Sequence, residues 1–261
     1  MNIALVNGQR QKAQLGLRGT CPECEQPVIA RCGEIRVWHW AHKVSSHCDS
    51  RWANEGPWHR DWKNEFPAEW QEFRHVDAKT GERHWADVQT EHGWVLEFQH
   101  SYIKPEERRS RDAFYQKLVW VVNGLRRKRD RAQLEKAWEE GTPVGANNSP
   151  VRIVFSDECR LLQEWAGSDA HVFFDFGDEQ GLWWLLAKRP NGQVYAAHFS
   201  RAEFIEIHRG TATQMARNFD SFVEELSELV ANYESHRRAQ ALNRVPPNLA
   251  RRRMIRRGFR L

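Results

Sequence analysis

Residues 84–101 read HWADVQTEHGWVLEFQHS, and this stretch decides the fold that the sequence predicts. Two runs within it, HWADVQT at 84–90 and WVLEFQHS at 94–101, have the composition of β-strands and are separated by a turn that contains glycine. The two strands are therefore expected to form a hairpin. Each strand carries a carboxylate inside an otherwise apolar run, Asp87 on the first and Glu97 on the second.

The two carboxylates are placed to hold a divalent cation. Period-2 alternation puts Glu97 and Gln99, on either side of Phe98, on one face of their strand, where Asp87 can join them from the neighbouring strand. Burying two carboxylates together is costly unless a cation or hydrogen bonds compensate. Such oxygen ligands suit Mg²⁺ or Mn²⁺, which polarise a phosphate and lower the pKa of a bound water. The alternative is that Asp87 and Glu97 lie on the solvent face of an antiparallel sheet.

The segment before the hairpin favours the metal site. GPWHRDWKNEFPAEW, from Gly56, predicts a helix, because Pro57 suits the first helical position. His59 and Lys63 are four residues apart and share a face of this helix, and Glu55 lies just upstream. A lysine can orient the attacking water, and a histidine can relay a proton or contact the phosphate. The alternative for these side chains is a solvated helix surface.

The segment after the hairpin offers further contacts to nucleic acid. Pro105 with EERRSRDAFYQKL predicts a second helix, and LVWVV at 118–122 predicts a buried third strand. Ser101, Arg111 and Tyr115 could present a hydroxyl, a guanidinium and a phenol, with Arg111 as a phosphate clamp. Tyr115 could equally pack this helix on the sheet.

Residues 1–50 are rich in Cys, His and Gly and predict a small metal-stapled lobe. The candidate Zn²⁺ ligands, of which a structural site needs four, are Cys21, Cys24, His39, His42 and Cys48. Cys21 and Cys24 have the CxxC spacing that suits a metal, whereas an odd number of cysteines in a chain this long does not suit a disulfide framework. The set with His42 is preferred, and the choice between the two histidines stays open. The alternative is a reduced, metal-free lobe.

The second half predicts a separate α+β domain at 151–238, after a polar stretch that follows residue 140. Its strand-like runs are VRIVF, HVFFDF, GLWWLLAK and QVYAAHF. A helix is expected from about Arg201, and an amphipathic helix from about Thr213 to Arg238.

The charge of the chain is unevenly distributed. Nine arginines and no acidic residue lie in residues 236–261, so the formal net charge of +4 hides an acidic body and a basic end, of which 239–261 form an arginine-rich tail. An acidic body is common in enzymes that collect cations, and an arginine-rich end commonly touches phosphates. A merely solvated tail is the alternative.

A chain of 261 residues, 40% hydrophobic and 28% charged, can bury a sizeable core and forms one large or two small domains. It contains no apolar run of about 18 residues, and its N-terminus lacks the apolar stretch of a signal peptide. We therefore expect a soluble protein of the cytoplasm.

Together, these motifs resemble the competence protein CoiA-like family: CPEC, HWAH, a following cysteine, E-x-x-x-H-x-x-x-K, ADV, E-x-Q-x-S and R-x-x-x-Y. The resemblance covers roughly residues 20–122, and the later DFG followed by LWWL is similar to longer members. It implies a fold of the α/β (α+β) class. In that fold a restriction-endonuclease-like PD-(D/E)XK core at 51–140 follows a zinc-ribbon-like lobe and precedes a C-terminal α+β extension.

Carried over to this chain, the resemblance implies that Asp87 and Glu97 are the metal ligands. Gln99 stands where the general motif has a lysine, so the positive charge near the attacking water must come from elsewhere, and Lys63 is the candidate. Glu55 and His59, at the predicted helix that begins at Pro57, would join Lys63 in completing the site.

The leading hypothesis is a Mg²⁺-dependent deoxyribonuclease that hydrolyses phosphodiester bonds of DNA, single- or double-stranded, in DNA uptake, processing or defence. A second hypothesis is a catalytically silent adaptor that binds single-stranded DNA through the zinc lobe and the basic tail. A third is a protein-interaction scaffold, with partners bound through the C-terminal domain.

Overall fold

The structure is a computed structural model that describes residues 3–22, 24–34, 37–43, 55–77, 81, 83–177, 181–187, 192–210 and 218–243. Cys48 and residues 244–261 of the arginine-rich tail lie outside these ranges, so the predictions made for them are not addressed by the structure. In the described part of the chain, no helix has the length and apolar character needed to cross a membrane.

The N-terminal lobe contains an antiparallel sheet of short strands. Their bounds are β1 Ile3–Val6, β2 Gln9–Lys12, β3 Arg18–Thr20, β4 Pro27–Arg31 and β5 His39–His42. The order across the sheet is β2-β1-β3-β4-β5. Its core is small and consists of Ala4, Ala13, Cys21, Val28 and Trp40, with a few partly buried neighbours. A core of this size gives limited stability by itself, which is typical of lobes that depend on a metal or on docking.

The other described strands form one mixed sheet. Their bounds are β6 Gln71–Val76, β7 Arg83–Gln89, β8 Val95–Gln99, β9 Leu118–Asn123, β10 Thr142–Pro143, β11 Val151–Val154, β12 His171–Asp175, β13 Leu182–Leu185 and β14 Val194–Phe199. The order across the sheet is β10-β11-β14-β13-β12-β9-β8-β7-β6. Strand β9 pairs in parallel with β8 and with β12, and the other neighbouring strands are antiparallel.

Helices cover both faces of this sheet. Those in the described residues are α1 Pro57–Asn64, α2 Pro105–Phe114, α3 Asp130–Glu139, α4 Arg160–Trp165, α5 Arg201–Arg209 and α6 Phe219–Asn243. Trp62 of α1, Phe204 of α5 and Phe219 of α6 belong to one hydrophobic cluster. Leu134 of α3 and Trp165 of α4 belong to the cluster on the other face. The mixed α/β class that the sequence predicts is confirmed.

The segments predicted as two domains, 51–140 and 151–238, are joined in one sheet in the structure. Trp120 and Val121, neighbours on β9, face opposite hydrophobic clusters, and both clusters contain residues from the two halves of the chain. Val121 also pairs with Phe173 of β12. Segments 51–140 and 151–238 therefore share one sheet and one pair of cores. The polar stretch between them is a connection that includes β10, because a polar composition marks exposure of the chain and not the end of a sheet.

The local predictions around the hairpin are confirmed. Strands β7 and β8 pair as a hairpin, and α1 begins at Pro57. The C-terminal end of α1 is capped by Gln71, whose Nε2 donates to the carbonyl oxygens of Lys63 (2.7 Å) and Phe66 (2.8 Å). Helix α2 ends at Phe114, so Tyr115, which the sequence predicted to lie within the helix, follows directly after it.

Candidate functional site

The candidate site lies where β7 and β8 separate. The two strands pair at Val88 with Leu96 and at Gln89 with Val95. Next to these pairs, the Phe98 amide donates to the carboxylate of Asp87 (Oδ2–N 2.8 Å). An aspartate side chain thus occupies the place that a backbone carbonyl takes in a continuous ladder. The strands open at this point, and α1 and α2 reach the opening from different sides.

On the α1 side, Asp87 meets two predicted residues. His59 Nε2 lies 3.0 Å from Asp87 Oδ1. One ligand atom from each of Glu55, His59 and Asp87 lies within 4.8 Å of the other two. Glu55 reaches this group because it directly precedes Gly56, the N-cap of α1, and lies one turn before His59. Two carboxylates and an imidazole are a donor set that divalent cations accept.

The charges on this side are well compensated. Burial would raise the pKa of Asp87, but His59, Lys63 and the Phe98 amide hold the pKa below its usual range. Burial would lower the pKa of His59, and Asp87 raises it instead. Asp87 is therefore a carboxylate at neutral pH, the form that a metal ligand requires.

Lys63 is enclosed by carboxylates. Its Nζ lies 2.8 Å from Glu55 Oε1 and 2.9 Å from Glu72 Oε1, and 1% of its side chain is exposed. Burial would lower the pKa of Lys63, but Glu72 and Glu55 raise it, so the side chain remains a cation. Its positive charge lies beside the group formed by Glu55, His59 and Asp87.

The sequence reasoning missed Glu72. This residue has a left-handed backbone (φ 55°) within β6 and is buried. Its Oε2 accepts the amide of Ile3 (3.2 Å), and its carbonyl oxygen accepts Arg10 Nη2 (2.7 Å). Glu72 therefore joins the N-terminal sheet to Lys63. Nothing in the local sequence QEFRHV marks an unusual backbone, so no signal pointed to it.

On the α2 side, Glu97 has a different environment. Its Oε2 lies 2.7 Å from Arg111 Nη1, whereas its Oε1 is buried and has no hydrogen-bond partner among the described residues. Burial raises the pKa of Glu97, and Arg111 offsets this only in part. Glu97 lies outside the group formed by Glu55, His59 and Asp87, although the charge of Asp87 also raises its pKa. An unpartnered buried oxygen fits a position at which a ligand supplies the missing contact.

The remaining predicted residues lie around Glu97. Gln99 Nε2 donates to the carbonyl oxygen of Ser101 (2.9 Å), and Ser101 is exposed. Tyr115 is 7% exposed and packs edge-on against His75, with ring centroids 5.1 Å apart. Its hydroxyl has no hydrogen-bond partner among the described residues. Tyr115 therefore packs against the sheet, as the alternative interpretation of the sequence expected, with a buried hydroxyl that lacks a partner in the described part of the chain.

A second cluster lies in the N-terminal lobe. One ligand atom from each of Cys21, Cys24 and His42 lies within 4.8 Å of the other two, and Cys24 Sγ lies 3.2 Å from His42 Nε2. The Glu25 amide, next to Cys24, donates to the Cys21 carbonyl oxygen (3.0 Å). His39 is elsewhere, with its Nδ1 2.8 Å from the Val37 carbonyl oxygen.

This cluster lies within the region for which a comparison with known families succeeds. Residues 9–51 match the N-terminal domain of competence protein CoiA. The match runs from β2 to beyond β5, includes all five predicted zinc ligands, and ends before α1. It supports the resemblance to the CoiA-like family over this region. No curated protein and no solved structure matches the chain.

The second half of the chain fixes the orientation of α1. Asp175, at the end of β12, is buried, and its Oδ2 accepts the indole Nε1 of Trp58 (2.8 Å) and of Trp62 (2.7 Å). The guanidinium of Arg201 lies over the Trp62 ring, 4.0 Å from its centroid. The sequence reasoning missed Asp175, although a carboxylate inside the apolar run HVFFDF is the same signal that pointed to Asp87.

Proposed function

We propose that this chain is a metal-dependent nuclease that hydrolyses phosphodiester bonds of DNA. The observation that carries the proposal is the opening of the β7–β8 hairpin, where Asp87 and Glu97 lie on adjacent strands and α1 brings Glu55 and His59 to Asp87. This arrangement supports the restriction-endonuclease-like PD-(D/E)XK core that the family resemblance implies. The match of residues 9–51 to competence protein CoiA supports a competence-related role.

The residues at the opening fit a Mg²⁺ or Mn²⁺ ion. Asp87, Glu55 and His59 would hold it. Glu97, which lies outside this group and has a raised pKa, would join them on losing its proton, through the carboxylate oxygen that has no partner among the described residues. When bound, the ion supplies a polarised phosphate oxygen and a water of lowered pKa.

The chain's own residues orient the substrate and balance charge. Arg111 would contact a phosphate from the α2 side of the opening between β7 and β8. Ser101 and Tyr115 would contact the substrate on the same side. Lys63 supplies the positive charge that Gln99 lacks, and its pairing with Glu55 and Glu72 fixes its position. His59 is placed to accept or release a proton at Nε2, which faces Asp87.

The N-terminal cluster fits a structural Zn²⁺ ion. Cys21, Cys24 and His42 supply two thiolates and one imidazole, and Cys48, which lies outside the described residues, would complete the four ligands. This ion would stabilise the small sheet on which Ile3 and Arg10 contact Glu72.

The test is a cleavage assay on single-stranded DNA, double-stranded DNA and RNA with Mg²⁺ or Mn²⁺. We expect cleavage of DNA that EDTA abolishes and that Asp87→Ala or Glu97→Ala abolishes while the fold is retained. Asp157→Ala, which changes an exposed aspartate on the connection after β11, is the matched control and should leave the rate unchanged. Unchanged cleavage in the folded Asp87→Ala variant would overturn the assignment.

One observation favours a second candidate, a catalytically silent adaptor for single-stranded DNA. The position of the usual lysine is held by Gln99, and Lys63 is paired with two carboxylates. DNA binding that persists in EDTA, without turnover in any metal, would support the adaptor against the nuclease.

A further inference from the structure

A cleft separates the N-terminal sheet from α1. It has a volume of about 270 Å³, just under the range of pockets that hold drug-sized molecules. Lys12 and Trp38 line it from the sheet side, and Arg60 and Lys63 line it from α1. A space of this size accepts a single small group such as one nucleotide.

The positive charge of the cleft is only partly compensated by the protein, since Lys63 is paired with Glu55 and Glu72 whereas Lys12 and Arg60 are bonded to neutral groups. Lys12 Nζ donates to Asn64 Oδ1 (2.7 Å), and Arg60 donates to the carbonyl oxygen of Glu55. These acceptors are neutral, and within the described ranges neither Lys12 nor Arg60 has a carboxylate at ion-pair distance. Burial and the nearby Lys63 lower the pKa of Lys12, and the carboxylate of Glu72 offsets this only in part. An anion in the cleft would relieve this repulsion between cations.

An aromatic ring stands at the same place. Trp38 directly precedes β5 and is 52% exposed, and its neighbour Val37 is 54% exposed. An exposed indole beside cationic side chains is the combination that binds single-stranded nucleic acid, because bases stack on the ring and the cations meet the phosphates. A base within a duplex is stacked on its neighbours and does not offer its face in this way.

The cleft also adjoins the candidate metal centre. Lys63 lines the cleft and pairs with Glu55, which belongs to the group with His59 and Asp87. Arg60 is the next residue after His59 on α1. A strand held in the cleft would therefore pass close to the residues proposed to cut it.

We propose that this cleft binds one nucleotide of a single DNA strand, with its base stacked on Trp38 and its phosphate on Lys12 and Arg60. The proposal rests on the proposed function for the identity of the polymer and adds a site that selects a single strand next to the metal centre. Trp38 directly precedes β5, the strand that carries His42, so the lobe that would bind zinc also positions the stacking ring.

The experiment measures binding of the full chain to a fluorescein-labelled oligothymidylate by anisotropy, in a zinc-containing buffer without chelator, Mg²⁺ or Mn²⁺, so that no cleavage occurs and the N-terminal lobe keeps its ion. Trp38→Ala should weaken binding by about fivefold to a hundredfold, and Trp38→Phe should restore much of the loss. Lys12→Ala and Arg60→Ala should each lower the slope of log Kd against log salt concentration by roughly 0.7. Phe155→Ala and Lys128→Ala, which change exposed side chains away from the cleft, are the matched controls.

An abasic strand of equal length separates stacking from charge. Its binding should be insensitive to Trp38→Ala and should still weaken with Lys12→Ala. If Trp38→Ala and Phe155→Ala bind the oligonucleotide equally well, the cleft does not hold a base. If free thymidine monophosphate binds as tightly as the strand, and through Trp38, the occupant is a free nucleotide and the strand is excluded. Because binding is read without Mg²⁺ or Mn²⁺, these results do not depend on whether the chain cleaves DNA.

Discussion

The carboxylates on the two sides of the opened β7–β8 hairpin differ in the partners that surround them. On the α1 side, Asp87 is paired with His59, and Glu55 and Glu72 share Lys63. On the α2 side, Glu97 has Arg111 on one oxygen and no partner among the described residues on the other.

The pKa shifts follow this division. Partners outweigh burial at Asp87 and lower its pKa, whereas burial outweighs Arg111 at Glu97 and raises its pKa. Two nearby carboxyl groups with oppositely shifted pKa values can take different roles at one pH. The α1 side thus forms a charged framework in which Asp87 is a carboxylate and Lys63 a cation at neutral pH, and the α2 side can exchange a proton or a ligand.

The largest expected effect tests the framework. Lys63→Met removes the cation that Glu55 and Glu72 share and leaves buried anions without compensation, so it should lower the free energy of unfolding by about 3–5 kcal/mol. Urea unfolding at neutral pH measures this change. Lys117→Met removes the same type of residue from a half-exposed pair with Asp220 and should cost less than about 1 kcal/mol. Equal losses in the two variants would show that the α1 side is not a buried framework.

A smaller loss is expected on the α2 side. Arg111→Met removes the partner of Glu97, but Glu97 can then take up a proton instead of remaining a buried anion. The cost should be about 1–3 kcal/mol and should grow as the pH rises, because keeping the proton becomes harder. Urea unfolding at several pH values measures it, with Arg109→Met as the control on an exposed pair. A loss as large as that of Lys63→Met, independent of pH, would break the distinction between the two sides.

The sequence predicted those parts of the fold that local patterns decide. The hairpin follows from two apolar runs about a turn, α1 from Pro57 at its first position, and β9 from its continuous apolar run LVWVV. The pairing of β9 with β12 is not local, and a polar stretch between the two strands has the composition of a domain boundary. The single sheet therefore could not be predicted from these patterns.

The site divides in the same way. Asp87 and Glu97 were visible because a carboxylate inside an apolar run is anomalous, and Asp175 carries the same anomaly. The role of Glu72 in joining the N-terminal sheet to Lys63 could not be predicted. It depends on the Ile3 amide, 69 residues away in sequence, and on a left-handed backbone at a position where the sequence has no glycine. Long-range hydrogen bonds have no local sequence pattern.

The pH dependence of stability sharpens the comparison further. The pKa of Glu97 is higher in the folded state than in the unfolded state. Protonated Glu97 therefore stabilises the fold fully below the ordinary glutamate pKa of about 4.3, and this stabilisation is lost as the pH rises towards the pKa of Glu97 in the folded protein. Glu97→Gln removes this titration while keeping an acceptor for Arg111. The variant should therefore have a higher Tm than the unmodified protein at neutral pH, with a difference that shrinks as the pH falls. A difference that grows on acidification would mean that the pKa of Glu97 is lowered, as that of Asp87 is.

The smallest expected effect concerns the hydroxyl of Tyr115, which is buried without a partner among the described residues. Burying a hydroxyl without a hydrogen-bond partner is unfavourable, because the hydroxyl loses its contacts with water. Tyr115→Phe should therefore leave the free energy of unfolding unchanged or raise it by up to about 1 kcal/mol. The same change should slow DNA cleavage if the hydroxyl meets the substrate beside Arg111.

Tyr195→Phe is the matched control, because the Tyr195 hydroxyl is already bonded to Gln193 and Glu234 at 2.8 Å each. Its loss should cost about 1 kcal/mol and leave cleavage unaltered. A Tyr115→Phe variant that loses as much stability as Tyr195→Phe, with full cleavage, would show that the Tyr115 hydroxyl is satisfied within the folded chain. The contrast with α1 would then rest on the buried Glu97 carboxylate, whose Oε1 has no partner among the described residues.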